Sequence, residues 1–168
     1  MSDFIDPTEH AVWRPLRDLQ AALDAEVARV YADANIEGLK TTWVQELIKL
    51  HVHGPMTITA LAGAVGRTHS ALSQKVSAMR AAGWVRTVTG ADGRTREVEL
   101  TAKARRIAGR LAAGWRATEA AVAEIEAEIP YPMAKVVRDI EEVLRRRGFR
   151  DRITERLAGD PAWEQAEP

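Results

Sequence analysis

Apolar positions fall at helical spacing along most of the chain, and the one long exception lies between Trp84 and Leu100. From Leu16 they recur at Leu19, Leu23, Val27 and Val30, in steps of three and four. That stripe predicts a helix that buries one side against another helix, from this chain or from a second subunit. Asp6-Pro7-Thr8-Glu9 has the form of a helix start: a capping residue, proline at the first position and an acid in the first turn. Pro15 kinks or restarts the helix, and Asn35 and Gly38 end it. The next predicted helix is Leu39–His53. Leu39, Trp43, Leu47 and Leu50 lie on one side, with Val44, Ile48 and His51 beside them. An apolar arc that wide belongs to a central helix. Gly54-Pro55 stops it, and Met56-Thr57 is expected to form a short strand.

Two short helices come next. Thr59 is the expected cap of the first, with Leu61, Ala62 and Val65 as its apolar face and Gly66 as its stop. Thr68 or Ser70 caps the second, whose buried stripe is Leu72, Val76 and Met79, and Gly83 ends it. Two helices joined by a short glycine-containing turn form a helix-turn-helix. The opposite face of the second helix carries Ser70, Ser73, Gln74, Ser77 and Arg80, with Lys75 on the flank. Such side chains read base edges or grip phosphates in a major groove, although a polar helix face alone says no more than that it is solvated. The pattern then changes. Trp84–Val88 and Arg94–Leu100 are rich in β-branched and apolar residues, and the run Thr89-Gly90-Ala91-Asp92-Gly93 between them forms a turn. This predicts a hairpin, with Arg94 and Arg96 at its tip and on its far strand, and Thr101 capping another helix.

Downstream, Ile107, Leu111, Trp115, Val122, Ile125 and Ile129 make the stripe of a long helix from Ala102 to about Glu128, weakened locally by Gly109 and Gly114. Pro130-Tyr131-Pro132 stops it. Met133–Arg147 follows, with Val136, Val137, Ile140, Val143 and Leu144 as its buried side and Arg145–Arg147 at the favourable end of the helix dipole. Ile153 and Leu157 predict one more short helix before a frayed tail.

The stretch from Thr57 to Thr101 resembles the winged helix of the MarR family of bacterial transcription regulators. The wing pattern of that family is matched by Asp92, Arg94, Val98, Leu100 and Thr101. The recognition-helix pattern is matched by Ser70, Ser73, Met79, Ala82, Gly83, Trp84 and Val85. Two positions depart. Lys75 stands where an aliphatic residue is more usual, and Gly93 where a second wing arginine often sits, which predicts weaker backbone contact at the wing tip. The resemblance covers about residues 13–147. It implies a mainly α fold with a small β-hairpin wing, in which N- and C-terminal dimerisation helices flank the winged helix-turn-helix. The division is 1–38 for the N-terminal dimerisation helix, 39–101 for the winged helix-turn-helix and 102–148 for the C-terminal dimerisation helices. Residues 149–168 form a short helix and tail. It implies a homodimer on a roughly palindromic site in double-stranded DNA, acting as a ligand-responsive repressor. The DNA-facing residues are then Arg67, Thr68, His69, Ser70, Ser73, Gln74, Lys75, Ser77, Arg80, Arg86, Arg94 and Arg96.

Charge supports that placement. The 168 residues carry no net charge. Yet residues 57–106 hold nine basic residues against three acidic ones, while both flanking segments are net acidic. Positive charge gathered on one segment is the footprint of a nucleic-acid face. The competing reading is a winged helix used for protein contact alone. Such a module needs neither Arg94 and Arg96 nor a recognition face free of large apolar side chains. The sequence has no cysteine, which excludes disulfides and zinc-thiolate sites. It has no run of 18 apolar residues and no basic-then-apolar leader, so a cytoplasmic protein without membrane contact is expected.

Other chemistry is sparse. His51 and His53 are two apart on different faces of a helix end, with no third ligand near in sequence; His10 and His69 could join them only through folding. No metal, cofactor or catalytic residue is expected: His69-Ser70 lacks a recognisable acid partner, and no glycine-rich phosphate loop exists. Five tryptophans are many for a chain with two Phe and two Tyr. Core packing accounts for tryptophans in general. The family resemblance, however, implies an effector pocket where the dimerisation helices meet the winged helix. Trp13, Trp43 and Trp115 would line it, with Arg17 or His51 as polar anchor and a small aromatic effector as ligand.

Overall fold

The structure is a computed structural model that describes residues 6–90 and 93–164. Asp6 accepts a hydrogen bond from the Thr8 amide at 2.8 Å and opens a short 3-10 helix, Pro7–His10. Pro15 then sits in the first turn of α1, Arg14–Asp33, so the chain restarts there. Asn35, at φ 54°, lets the Ile36 amide close back on the Tyr31 carbonyl and ends α1. The expected Leu39–His53 helix begins later. Leu39 and Lys40 stay out of it, Thr41–Trp43 make a single 3-10 turn, and α2 runs Val44–His53.

Met56 and Thr57 form β1 and pair with Val98 and Glu97. The first helix of the pair, α3, Ile58–Val65, therefore begins directly at the strand end, and Thr57 caps it by accepting from the Ala60 amide at 3.1 Å. Thr59, expected in that role, lies within the first turn. The strand pairing leaves Thr57 extended, as a cap residue must be, and so moves the helix start two residues upstream. α4, His69–Ala81, is capped by Thr68 rather than Ser70. Gly66 and Gly83 adopt φ 64° and 75°. The residue after each donates to a carbonyl five positions back, Arg67 to Ala62 and Trp84 to Met79, which satisfies a helix end that would otherwise be left open.

β2, Val85–Thr89, and β3, Arg96–Leu100, pair antiparallel, giving a three-stranded sheet in the order β1-β3-β2. Leu47, Leu61, Leu72, Met79, Trp84 and Leu111 are at most 1% exposed and form the centre of the core. Trp84 locks the base of the hairpin. Its indole N–H donates to the Gly38 carbonyl at 2.9 Å, and the Lys103 ammonium lies 4.0 Å over the ring. Thr101 accepts weakly from the Ala104 amide at 3.4 Å, opening α5, Ala102–Glu128. Along α5, Ala104, Ala108 and Leu111 are buried, and Gly114 sits against the buried Tyr31 of α1.

The chain divides into two compact units, one ending at Thr118 and one beginning at Glu119. After Pro132 the second unit contains α6, Met133–Arg146, α7, Phe149–Leu157, and α8, Pro161–Glu164. Three expected apolar stripes stay largely exposed in the single chain. Leu19, Leu23 and Val30 of α1 are exposed, and so are Val122, Ile125 and Ile129 of the long helix stripe. On α6, Val136 and Ile140 are half-buried while Met133, Val137, Val143 and Leu144 are exposed, although the helix is sharply amphipathic. Periodicity identifies an apolar face, but a single chain leaves these faces bare. His51, expected beside the buried stripe of α2, is exposed with Val52 and His53. The polar residue taken into the core is instead Glu46, 1% exposed. Among the described residues no helix is long and apolar enough to cross a membrane.

Candidate nucleic-acid interface

Leu72, Val76 and Met79 anchor α4 in the core, and the helical period fixes what the other side presents. Ser70, Ser73, Gln74 and Ser77, spaced at zero, three, four and seven, share the outward face. Ser70, Gln74 and Ser77 are exposed and Ser73 is half-buried. His69 and Arg67 are exposed at the N-terminal end, where Thr68 uses its hydroxyl as the cap. Arg80 is exposed at the other end and reaches across to the Thr87 hydroxyl of β2 at 3.4 Å.

The hairpin lies next in sequence. Arg96 opens β3 opposite Thr89 and is exposed, as is Arg94 at the end of the turn. The Gly90 amide donates to the Thr95 carbonyl at 2.9 Å, which closes the hairpin. A Cβ at Gly90 would lie 2.3 Å from the Thr95 hydroxyl, so a larger residue there would require that side chain to shift. Ala91 and Asp92 of the expected turn, and with them one element of the wing motif, lie outside the described residues. Arg86 is exposed, but it forms an ion pair with Glu99, its cross-strand partner, and Arg105 shares that carboxylate at 3.5 Å.

Lys75, on the flank of that face and counted among the DNA-facing residues, turns inward. Its ammonium donates to Glu46 Oε1 at 2.7 Å and to the Thr42 carbonyl at 2.6 Å, and its side chain is 23% exposed. Sitting about 60° from the centre of the buried stripe, it is drawn inward by an acid the sequence reading had not singled out. Two signals pointed to the pair: an acid inside the apolar arc of α2, and a lysine where the family pattern favours an aliphatic residue.

Two concavities border residues expected at the effector pocket, each holding one of them. Trp43 is a core residue, 5% exposed, with the Lys40 ammonium 5.3 Å from its ring centre. Trp13 is 54% exposed. Trp115 borders a concavity of about 210 Å³ with Gln45, Ile48 and Lys49, while His51 borders a different one of about 80 Å³ with Pro55, Glu99 and Arg105. Neither concavity includes Trp13, Arg17 or Trp43. Among the described residues no three His, Asp or Glu side chains gather as metal ligands would.

A capped helix pair, a glycine-closed turn between them and a three-stranded sheet ending in a hairpin define a winged helix-turn-helix. Comparison with known proteins agrees. A transcriptional regulator of Mycobacterium tuberculosis, MosR, solved in complex with DNA, is 28% identical, with a TM-score of 0.53 over 82% of this chain and 93% of that one. A MarR family transcriptional regulator from Silicibacter pomeroyi is 31% identical over 77% of this chain and 93% of that one, with a TM-score of 0.49. A probable transcriptional regulator from Pseudomonas aeruginosa, 18% identical over 82% of this chain and 98% of that one, shares the fold at a TM-score of 0.52. No family model and no curated protein matches the sequence. By its sequence identity to the Silicibacter protein and its wing and recognition-helix motifs, the chain belongs to the MarR family of winged-helix transcription regulators.

Proposed function

We propose that the protein regulates transcription by binding double-stranded DNA as a homodimer, with α4 in the major groove and the hairpin against the flanking backbone. The observation that carries this reading is the outward face of α4. It holds Ser70, Gln74 and Ser77 exposed and free of large apolar side chains, within residues 57–106, where nine basic residues face three acidic ones. Exposed Arg94 and Arg96 extend that charge along the hairpin. The DNA complex of the similar MosR protein supports the same use of the fold. The bare apolar faces of α1 and α6 are what a second copy would cover, and a two-fold dimer would read a roughly palindromic site.

The regulatory part of the proposal is repression relieved by a small aromatic ligand. Its site is narrower than the tryptophan cluster expected from sequence: the concavity where Trp115 lies beside Ile48, with Gln45 and Lys49 as polar groups. Ligand and DNA would then weaken each other by the same factor.

A mobility-shift titration against the DNA upstream of the protein's own coding sequence tests the reading. A specific complex that fades as an aromatic acid quenches tryptophan fluorescence is expected. A protein that binds that duplex no better than a scrambled one contradicts DNA reading and favours a protein-contact role. Binding that ignores every quenching ligand contradicts the relief mechanism alone.

A further inference from the structure

The ion pair between α2 and α4 lies off the outward face of α4, and it is costly. Glu46 is 1% exposed; one carboxylate oxygen takes Lys75, while the other, Oε2, is buried with no hydrogen-bond partner among the described residues. A half-satisfied buried carboxylate adds little to stability, because desolvation offsets most of the Coulomb gain. An aliphatic pair would pack the same space at less cost. Such a pair is explained by what apolar contacts lack, which is direction. Leu72, Val76 and Met79 hold α4 on the core, but contact among aliphatic chains tolerates sliding and rolling. Lys75 makes two bonds, to Glu46 Oε1 at 2.7 Å and the Thr42 carbonyl at 2.6 Å, both on the segment around the start of α2. A one-residue slip of α4 would turn it by about 100° and strand the carboxylate in the core.

We infer that Glu46 and Lys75 form a register pin, a pair of positioning residues that fixes the rotation of α4 and hence which side chains face the groove. The inference rests on the DNA-reading role proposed for α4. It assigns sequence discrimination, rather than affinity or stability, to two residues that touch no base.

The test compares the full-length protein with the double variant Glu46→Met/Lys75→Met, which removes both charges without changing net charge. Two readouts are taken: the ratio of dissociation constants on scrambled and cognate duplexes, and amide hydrogen exchange along α3 and α4 without DNA. The pin predicts a discrimination ratio at least fivefold lower, an unchanged affinity for the scrambled duplex, and exchange at least fivefold faster in α4 than in the wild type, with α3 unaltered. Glu46→Gln, which keeps an oxygen for Lys75, retains the ratio within fivefold. A ratio within fivefold of wild type in the double variant overturns the inference. So does an equal loss in Glu46→Gln, which would make charge the active feature, and so does a double variant that no longer folds. If the wild-type protein itself prefers neither duplex, the DNA-reading proposal has failed. The pin then stands or falls on whether exchange in α4 accelerates selectively.

Discussion

Replacing Gly109 and Gly114 by alanine, one at a time, makes the same chemical change twice on one helix, and the structure assigns the two different outcomes. In a helix interior, Gly→Ala gains about 0.5–1 kcal/mol, because glycine loses more backbone freedom on folding. At Gly109 nothing lies within 4 Å of an added Cβ, so that gain is kept. For a chain of this length it corresponds to about 2–4 °C per kcal/mol in melting temperature. At Gly114 the new Cβ would lie 2.9 Å from the Tyr31 hydroxyl oxygen and 3.2 and 3.3 Å from its ring carbons Cε1 and Cζ. Tyr31 is 6% exposed and has little room to yield. Overpacking of this kind costs about 1–3 kcal/mol, which cancels or exceeds the propensity gain. The two variants should therefore melt about 1–3 kcal/mol apart, with Gly109→Ala the more stable. Thermal unfolding followed by circular dichroism, at one fixed chain concentration because dimerisation shifts apparent stability, measures the difference. In a Tyr31→Phe background the penalty at position 114 should shrink, since the closest atom is gone. If Gly114→Ala stabilises as much as Gly109→Ala, the close packing of α1 on α5 is wrong.

Burial pushes the Tyr31 phenol above its ordinary value near 10. The unfolded chain therefore ionises first, so wild-type stability is insensitive to this group below about pH 10 and falls as pH rises beyond it; urea midpoints for wild type and Tyr31→Phe should keep a constant offset below that range, with wild type dropping relative to Tyr31→Phe above it, and an offset that stays constant throughout would refute it. Trp84→Phe removes the donor to the Gly38 carbonyl together with ring area, and should lower unfolding free energy by about 1–3 kcal/mol, read as a lower urea midpoint at unchanged slope. Light scattering at micromolar concentration should give twice the 18.5 kDa of one chain, since the apolar faces of α1 and α6 are exposed in a single chain, and a persistent monomer would remove the basis for a palindromic site.

Local signals in the sequence carried far. Gly66 and Gly83 ended the helices where expected, and the β-branched and apolar runs Trp84–Val88 and Arg94–Leu100 on either side of a turn-forming segment marked the hairpin, because stops and strand patterns depend on near neighbours. What was not legible depended on distant parts of the chain. The capping of α3 by Thr57 was set by pairing of Met56 and Thr57 with β3, some forty residues on, which propensity does not register. The inward turn of Lys75 required Glu46 on another helix. The tryptophans shared a residue type but not an environment: Trp43 and Trp84 filled the core, while Trp13 and Trp115 are exposed. Apolar stripes on α1 and α6 were legible as faces, and what covers them was not, since periodicity does not distinguish a partner in the same chain from one in another.

The central claim, that α4 reads bases while the hairpin grips the backbone, is tested most directly by measuring affinity against salt concentration. Wild type, Gln74→Ala and Arg94→Ala are compared on a cognate and a scrambled duplex. The account predicts that Gln74→Ala loses about 1–3 kcal/mol of discrimination, because an amide at that exposed position can pair with adenine, while its salt slope stays near wild type. It predicts that Arg94→Ala weakens binding to both duplexes and lowers the slope by about one charge per subunit, about two per dimer. Binding by wild type that is indifferent to salt and to sequence, or variants that leave discrimination and slope intact, would contradict it.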